Sequence, residues 1–121
     1  MYVERHAVTI TTDASGDGTG YTPTVTGQVL AIVYAKTDYA NGVDMTVTAE
    51  STGQAILALT DQNASGTFYP RQQVHGPTGA GLTLNGTQTV NEPVAVANDR
   101  AKIVVAQGGN TKSGTFHVLV G

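Results

Sequence analysis

The sequence contains no cysteine and no tryptophan, and it carries little charge of either sign. Without cysteine it can form no disulfide framework, thiol nucleophile or thiolate zinc site. Asp, Glu, Lys and Arg together make up 12% of its 121 residues, against about 25% in an average soluble domain. A surface so poor in charge consists mainly of hydroxyl, amide and backbone groups, which suits packing against other proteins.

The basic residues are too few and too dispersed for a nucleic-acid interface. A protein that binds DNA or RNA concentrates Lys and Arg on one face, whereas these six are scattered along a chain with a formal net charge of −3. No apolar run approaches the roughly 18 residues of a membrane-spanning helix. The N-terminus also lacks the basic and apolar regions of a signal peptide. We therefore expect no nucleic-acid partner, no membrane partner and no Sec-dependent export.

Short β-rich runs separated by Gly, Asn, Asp and Pro dominate the sequence. In residues 43–50, Val43, Met45 and Val47 alternate with polar residues, which is typical of a half-buried strand. Residues 28–36 are apolar at nearly every position, which indicates a central strand covered on both faces. Residues 54–59 contain good helix formers, but their short run between turn signals favours a strand. Asn-Gly pairs at residues 41–42 and 85–86 predict hairpin turns.

This pattern predicts that residues 1–121 form one all-β domain. Eight to ten short strands at close spacing are typical of an antiparallel β-sandwich or a jelly-roll-like arrangement. No stretch predicts a helix longer than two turns, and no fixed-period repeat is present. A chain of this length can bury roughly two-thirds of its unfolded surface, so it needs neither disulfides nor metals to form a core.

Two groups of residues could carry metal chemistry, and each has a simpler explanation. Asp13, Ser15 and Asp17 alternate as the oxygen ligands of a calcium loop do, but the position of the closing glutamate is occupied by Thr24. A polar hairpin loop is the simpler interpretation. His6 and His117 lie in the first and last predicted strands, which could be neighbours, but two histidines without a third ligand make a poor site.

The serines lie in turns, where Ser is favoured for its backbone hydrogen bonds. The Gly-rich segments also lack the Lys-Ser/Thr pair of a phosphate loop. The sequence therefore predicts that the protein is not an enzyme and has no catalytic, cofactor-binding or metal-binding residues. Tyr34, Tyr39, Phe68 and Tyr69 could stack on sugars, although core packing or interface contact is the favoured explanation for each of them.

Two stretches resemble a known group of proteins. The segments RHAVTITTDASGDG (residues 5–18) and ANDRAKIVVAQGGNTKSGTFHVLVG (residues 97–121) are similar to a family of small proteins encoded among the structural genes of tailed bacteriophages and prophages. The resemblance runs nearly end to end and carries no catalytic residues. It implies a virion component, namely a head decoration or cement protein that is made in the host cytoplasm and located on the capsid surface.

This resemblance implies two partners, the major capsid protein and further copies of the chain. A trimer would suit three-fold capsid positions and is slightly preferred over a dimer. The expected partner-binding residues are exposed aromatic and loop groups: Tyr39, Phe68, Tyr69, Arg71, His75 and Arg100. The alternative is a tail- or capsid-surface module that recognises host glycans through Tyr34, Tyr39 or Tyr69.

Overall fold

A computed structural model describes residues 2–121 and shows an all-β, antiparallel sandwich. Its strands are β1 (Glu4–Thr11), β2 (Gly18–Tyr21), β3 (Val25–Lys36), β4 (Asp44–Ala49), β5 (Ala55–Leu59), β6 (Gly66–Phe68), β7 (Arg71–Gln73), β8 (Thr83–Leu84), β9 (Gln88–Thr89), β10 (Asn91–Asp99), β11 (Ala101–Ala106) and β12 (Ser113–Val120). The predicted all-β sandwich is confirmed, although residues 2–121 contain twelve short strands where eight to ten were expected.

Ten of these strands form two sheets, and β8 and β9 form a separate hairpin. The larger sheet has the order β1-β12-β3-β10-β7, with β6 also paired to β3. The smaller sheet has the order β2-β11-β4-β5. The long strand β3 is central, as its apolar sequence predicts, and pairs with β12 on one side and with β10 and β6 on the other.

The inner faces of both sheets build one hydrophobic core. In β4 the alternation predicted from the sequence is confirmed, because Met45, Val47 and Ala49 are buried while Thr46 is exposed. Strand β11 contributes Ile103 and Val105 from the same sheet. The larger sheet contributes alternate residues of β12 and β3, among them Phe116 and Ile32. Residues 55–59 form strand β5, so the strand interpretation of this run is also confirmed.

Of the two predicted Asn-Gly hairpin turns, one is confirmed and the other is wrong. Asn85 and Gly86 both have positive φ angles, of 57° and 77°, and join β8 to β9 as the hairpin turn predicted from this Asn-Gly pair. The hairpin predicted at Asn41 and Gly42 is wrong. The strands on either side of it, β3 and β4, belong to different sheets, so this loop crosses the sandwich.

Strand β2 begins at Gly18 and runs beside β1. Gly18 and Gly20 lie in this strand and face the side chains of β1. A Cβ atom on Gly20 would lie 2.7 Å from Cγ1 of Ile10 and 2.8 Å from Cγ1 of Val8. These glycines therefore allow the edges of the two sheets to approach closely on this side of the sandwich.

Candidate interaction surface

The charged residues are distributed unevenly along the chain. Of the Asp, Glu, Lys and Arg residues, only Asp61 and Arg71 fall between residues 51 and 91. This segment contains β5, β6, β7 and the β8–β9 hairpin. Gln54 and Gln72 join its two halves through a side-chain hydrogen bond of 3.2 Å, which places the start of β5 beside β7. The shortage of charge is thus concentrated on one flank of the sandwich.

The most exposed part of this flank is residues 74–90, here called the arm. It leaves the larger sheet after β7 and returns to it at β10, and every residue from Gly79 to Val90 is exposed. Backbone hydrogen bonds close its base: Val74 N–H donates to Val90 O at 2.7 Å, and Leu82 N–H donates to Val74 O at 2.7 Å. The arm therefore has a defined backbone but little contact with the core.

One face of the arm carries three exposed apolar side chains. Thr83 pairs with Thr89 and Leu84 pairs with Gln88, and side chains alternate between the two faces of a strand. Leu82, Leu84 and Val90 therefore share one face with Gln88, and the exposed fractions of the three apolar side chains are 46%, 55% and 41%. Among residues 2–121, the other exposed large hydrophobic side chains are Tyr2, Val3, Tyr21 and Tyr69.

Three of the residues predicted to contact a partner lie at or near the base of the arm. Tyr69 is 65% exposed, and the Arg71 guanidinium carbon lies 6.0 Å from the centre of its ring. Arg71 Nη1 donates to the carbonyl oxygens of Pro70 at 2.7 Å and Leu30 at 3.1 Å, which fixes the position of the guanidinium. His75 is exposed and bridges to Gly81 within the arm.

The expectation that Tyr39 is an exposed aromatic is wrong. Tyr39 is only 2% exposed, its ring lies 6.2 Å from that of Tyr34, and its hydroxyl donates to Ile10 O at 2.6 Å. Burial raises the pKa of the Tyr39 hydroxyl well above its usual range. Phe68 was also expected to be exposed, but it is only half-exposed and packs against the core.

Arg100, the sixth predicted contact, lies in a network at another part of the surface. Its guanidinium pairs with the Glu50 carboxylate and covers the Tyr21 ring, with 4.1 Å between its central carbon and the ring centre. Beside it, the buried Asp99 carboxylate accepts hydrogen bonds from the backbone N–H of Ser51 at 3.1 Å and of Arg100 at 2.7 Å. Arg100 thus holds the β10–β11 turn against the end of β4.

The two strand histidines do not form a joint site. Strands β1 and β12 are neighbours, as the sequence suggested, but His6 lies opposite Val118 while His117 lies opposite Ala7. Because Val118 points into the core and neighbouring residues of a strand alternate, His6 and His117 lie on opposite faces of the sheet. No group of three or more His, Asp or Glu residues within residues 2–121 could hold a metal ion.

The Asp13 carboxylate stabilises the loop that contains it. Asp13 Oδ1 accepts hydrogen bonds from the backbone N–H groups of Ser15 at 2.8 Å and Asp17 at 3.1 Å. This is the arrangement of a polar hairpin loop, the simpler of the two sequence interpretations. Within residues 2–121 no pocket was found, and none of their segments is a helix long and apolar enough to cross a membrane.

The arm's apolar face was not predicted from the sequence. The Asn85-Gly86 pair predicts the hairpin that contains Leu82 and Leu84, but strand alternation does not reveal whether a face is covered. One available signal was the run of 20 residues without charge between Arg71 and Glu92.

Comparison with known proteins identifies no family for this chain: no family model matches it, and neither does any curated protein. Among solved structures, a chain of the virus-like particle of the giant freshwater prawn Macrobrachium rosenbergii extra small virus aligns with 98% of this chain and 78% of its own, at 8% identity and a TM-score of 0.35. The PA14 domain of the antifreeze protein MpAFP aligns over 94% and 62%, at 10% identity and 0.35.

A third structure, TmCBM61 in complex with β-1,4-galactotriose, aligns over 94% of this chain and 68% of its own, at 12% identity and a TM-score of 0.32. Likeness at these TM-scores carries no argument about function.

Proposed function

We propose that this protein is a structural component of a tailed-phage virion, a head decoration protein that binds the major capsid protein without covalent linkage. The observation that carries the proposal is the arm, an uncharged hairpin that presents Leu82, Leu84 and Val90 to solvent. The phage part of the proposal rests on the resemblance noted for residues 5–18 and 97–121, for which no family model and no curated protein provides a match. In this proposal the arm is the part of the protein that binds the capsid.

The arm's composition suits an assembly contact. An isolated two-stranded hairpin is at best marginally stable in water, so an apolar face on one gains stability when another surface covers it. Full burial of an aliphatic side chain contributes about 1.5–3 kcal/mol, and the cores of protein interfaces are depleted in charge. Three such side chains on an uncharged arm provide the apolar centre of a small interface.

The base of the arm can supply the polar rim of the same interface. Tyr69 offers a large exposed ring, and Arg71 keeps its guanidinium beside that ring through the bonds to Pro70 and Leu30. Tyr and Arg are enriched at interfaces because they combine a large contact area with directional hydrogen bonds. The proposed contact set is therefore Leu82, Leu84, Val90, Tyr69 and Arg71, with His75 at its border.

Many identical contacts would allow such a protein to stabilise the capsid. Each copy clamps neighbouring capsid subunits, and self-association of the copies lets several arms bind together, which raises the avidity of the assembly. The proposal includes self-association, no nucleic-acid or membrane partner, no catalytic activity and a location on the capsid surface. Its function is mechanical: to hold the shell against the pressure of packaged DNA.

The direct test is binding to empty mature capsids that lack this protein. Purified chain is mixed with the shells, the shells are sedimented, and the bound copies are counted. Saturable binding at micromolar concentration, together with greater resistance of the shells to heat, is the expected result. Shells that sediment without the chain would overturn the assignment.

A glycan-binding role is the second candidate, and one observation favours it. Tyr69 is exposed beside Arg71, and an exposed ring can stack on a sugar face. The other two tyrosines of that hypothesis, Tyr34 and Tyr39, are both buried and cannot contact a glycan in this fold. Sugar binding that is lost in Tyr69→Ala, combined with failure to bind capsids, would favour this role.

A further inference from the structure

The two Asn-Gly pairs of the chain differ in how the backbone nitrogen of the glycine is held. In such a pair this nitrogen can attack the side-chain amide of the asparagine, because glycine has no side chain to hinder the approach. The Gly42 N–H donates to Asn63 Oδ1 at 2.8 Å, which holds the nitrogen in place. None of the hydrogen bonds within residues 2–121 involves the Gly86 N–H or the Asn85 side chain.

The Asn41-Gly42 pair lies in a packed loop. Tyr39 and Val43, which flank the pair, are only 2% and 0% exposed. For the Gly42 nitrogen to reach the Asn41 side chain, its hydrogen bond must break and the loop must move away from the core. The folded state therefore protects this pair.

The Asn85-Gly86 pair lies at the exposed tip of the arm. A Cβ atom on Gly86 would have no heavy atom within 4 Å, so the surrounding space is open. The turn is closed by a long hydrogen bond, from Thr87 N–H to Leu84 O at 3.3 Å, and a two-stranded hairpin is at best marginally stable in water. The backbone at Asn85 can therefore rotate towards the attacking geometry without disturbing the core.

We propose that Asn85 is a site of spontaneous deamidation, and that the hydrogen bond between Gly42 and Asn63 protects Asn41 from the same reaction. The Gly86 nitrogen forms a bond to Cγ of Asn85, the bond from Cγ to the amide nitrogen breaks, and ammonia leaves with the Gly86 proton. Water then opens the cyclic imide. Hydrolysis at Cγ gives aspartate, whereas hydrolysis at the backbone carbonyl carbon gives isoaspartate, whose main chain runs through Cγ.

Either product changes the arm. Residues 72–91 contain no Asp, Glu, Lys or Arg, so the reaction gives this segment its first carboxylate. Isoaspartate also lengthens the main chain within a turn that requires positive φ at both Asn85 and Gly86. Because the arm is the proposed capsid contact, we expect the modified chain to bind capsids more weakly. That consequence rests on the proposed function, whereas the reaction itself does not.

The reaction is measured on the purified full chain, which is incubated in mildly alkaline buffer and digested at intervals. Trypsin places Asn41 and Asn85 in separate peptides, residues 37–71 and 72–100, and tandem mass spectrometry locates the conversion in each. We expect Asn85 to convert about tenfold faster than Asn41 or more, because the Gly42 nitrogen reacts only when its loop opens. In urea, where neither pair is held, the two rates should be similar.

Two variants link these rates to the structure. Asn63→Ala removes the acceptor of the Gly42 N–H, so Asn41 should convert faster while Asn85 is unaffected. Asn85→Gly suits the same turn but has no side-chain amide, so no conversion should occur at this position. Equal rates at Asn41 and Asn85 in the folded chain, or an unconverted Asn85 where the chain in urea reacts, would overturn the proposal. An unchanged Asn41 rate in Asn63→Ala would refute protection by the hydrogen bond.

Capsid binding tests the consequence separately. Asn85→Asp and Asn85→Gly both suit a turn with positive φ, but only the first adds a charge. Since the cores of interfaces are depleted in charge, we expect Asn85→Asp to bind capsids several-fold more weakly than Asn85→Gly. Equal binding of the two variants would overturn the effect on binding. If the unaltered chain does not bind either, the proposed function fails, while the peptide measurement still decides whether Asn85 reacts.

Discussion

The Tyr39 hydroxyl donates a 2.6 Å hydrogen bond to the carbonyl oxygen of Ile10, inside the core. Tyr39 lies in the loop that crosses from β3 to β4, and Ile10 lies in the edge strand β1. The bond therefore ties the crossing loop to a strand that is distant in sequence. It also gives the buried tyrosine hydroxyl a hydrogen-bond partner.

Tyr39→Phe is expected to destabilise the fold, because it leaves the Ile10 carbonyl buried without its partner. The free energy of unfolding should fall by about 1–3 kcal/mol, measured by urea denaturation. Tyr34→Phe is the control, since the buried Tyr34 hydroxyl has no hydrogen-bond partner. Equal losses for the two variants would show that the Ile10 bond contributes nothing specific.

Gly20→Ala tests the close approach of β2 to β1. The added Cβ would lie within 2.8 Å of methyl or methylene carbons of both Val8 and Ile10, so the sheets would have to separate locally. We expect a loss of about 1–3 kcal/mol in the free energy of unfolding, as for other overpacked cores. Gly76→Ala is the control, because its Cβ would meet only Ala80 O, at 3.7 Å. A fully stable Gly20→Ala would contradict this account of the glycine.

The stability of the fold should depend on pH through Asp99. Burial alone would raise the pKa of this carboxyl, but the hydrogen bonds from Ser51 and Arg100 outweigh burial and hold the pKa below its ordinary value. A group whose pKa is lowered by folding stabilises the folded state above its unfolded pKa and loses that contribution as the pH falls through its folded pKa.

Unfolding should therefore become easier as the pH is lowered through the acid range. Asp99→Asn removes the titrating group, so its unfolding free energy should fall less steeply with pH than that of the unaltered chain. Ser51→Ala removes only the hydroxyl donor at 3.0 Å and should have a smaller effect. Identical pH profiles for the unaltered chain and Asp99→Asn would refute this role of Asp99.

The sequence predicts the core strands well because their signal is local. Val43, Met45 and Val47 alternate with polar residues, and a period of two fixes which side chains face inwards regardless of the rest of the chain. The position of Tyr39 depends on distant residues instead. A Cβ atom on Gly114 would overlap the Tyr39 ring, and one on Gly108 would crowd it. The space that the Tyr39 ring occupies therefore forms only when β12 is in place.

The candidate site was only partly predictable for the same reason. The Asn85-Gly86 turn marks the β8–β9 hairpin, but whether Leu82 and Leu84 are covered depends on where the arm projects from the sheet. Arg100 was expected to contact a partner, but it pairs with Glu50, which is 50 residues away in the sequence. No local sequence pattern predicts this pair. Tyr69 and Arg71 do lie at the surface, while their role as contacts stays a prediction.

The arm's apolar face can be altered without affecting the fold. Leu84 and Leu82 are about half-exposed, so Leu82→Ser/Leu84→Ser should change the free energy of unfolding by no more than about 0.5 kcal/mol. The matched control is Thr83→Ala/Thr89→Ala, which alters the opposite face of the same hairpin. Thermal unfolding of the three proteins would check that any difference in binding is not a difference in folding.

Binding of these three proteins to undecorated mature capsids is the measurement that tests the proposed function most directly. Co-sedimentation should show saturable binding of the unaltered chain and of the threonine variant at micromolar concentration. The leucine variant should bind at least about tenfold more weakly, since it loses most of the apolar contact. Absence of binding by the unaltered chain, or equal binding by all three, would contradict the account of the arm as the part that grips the shell.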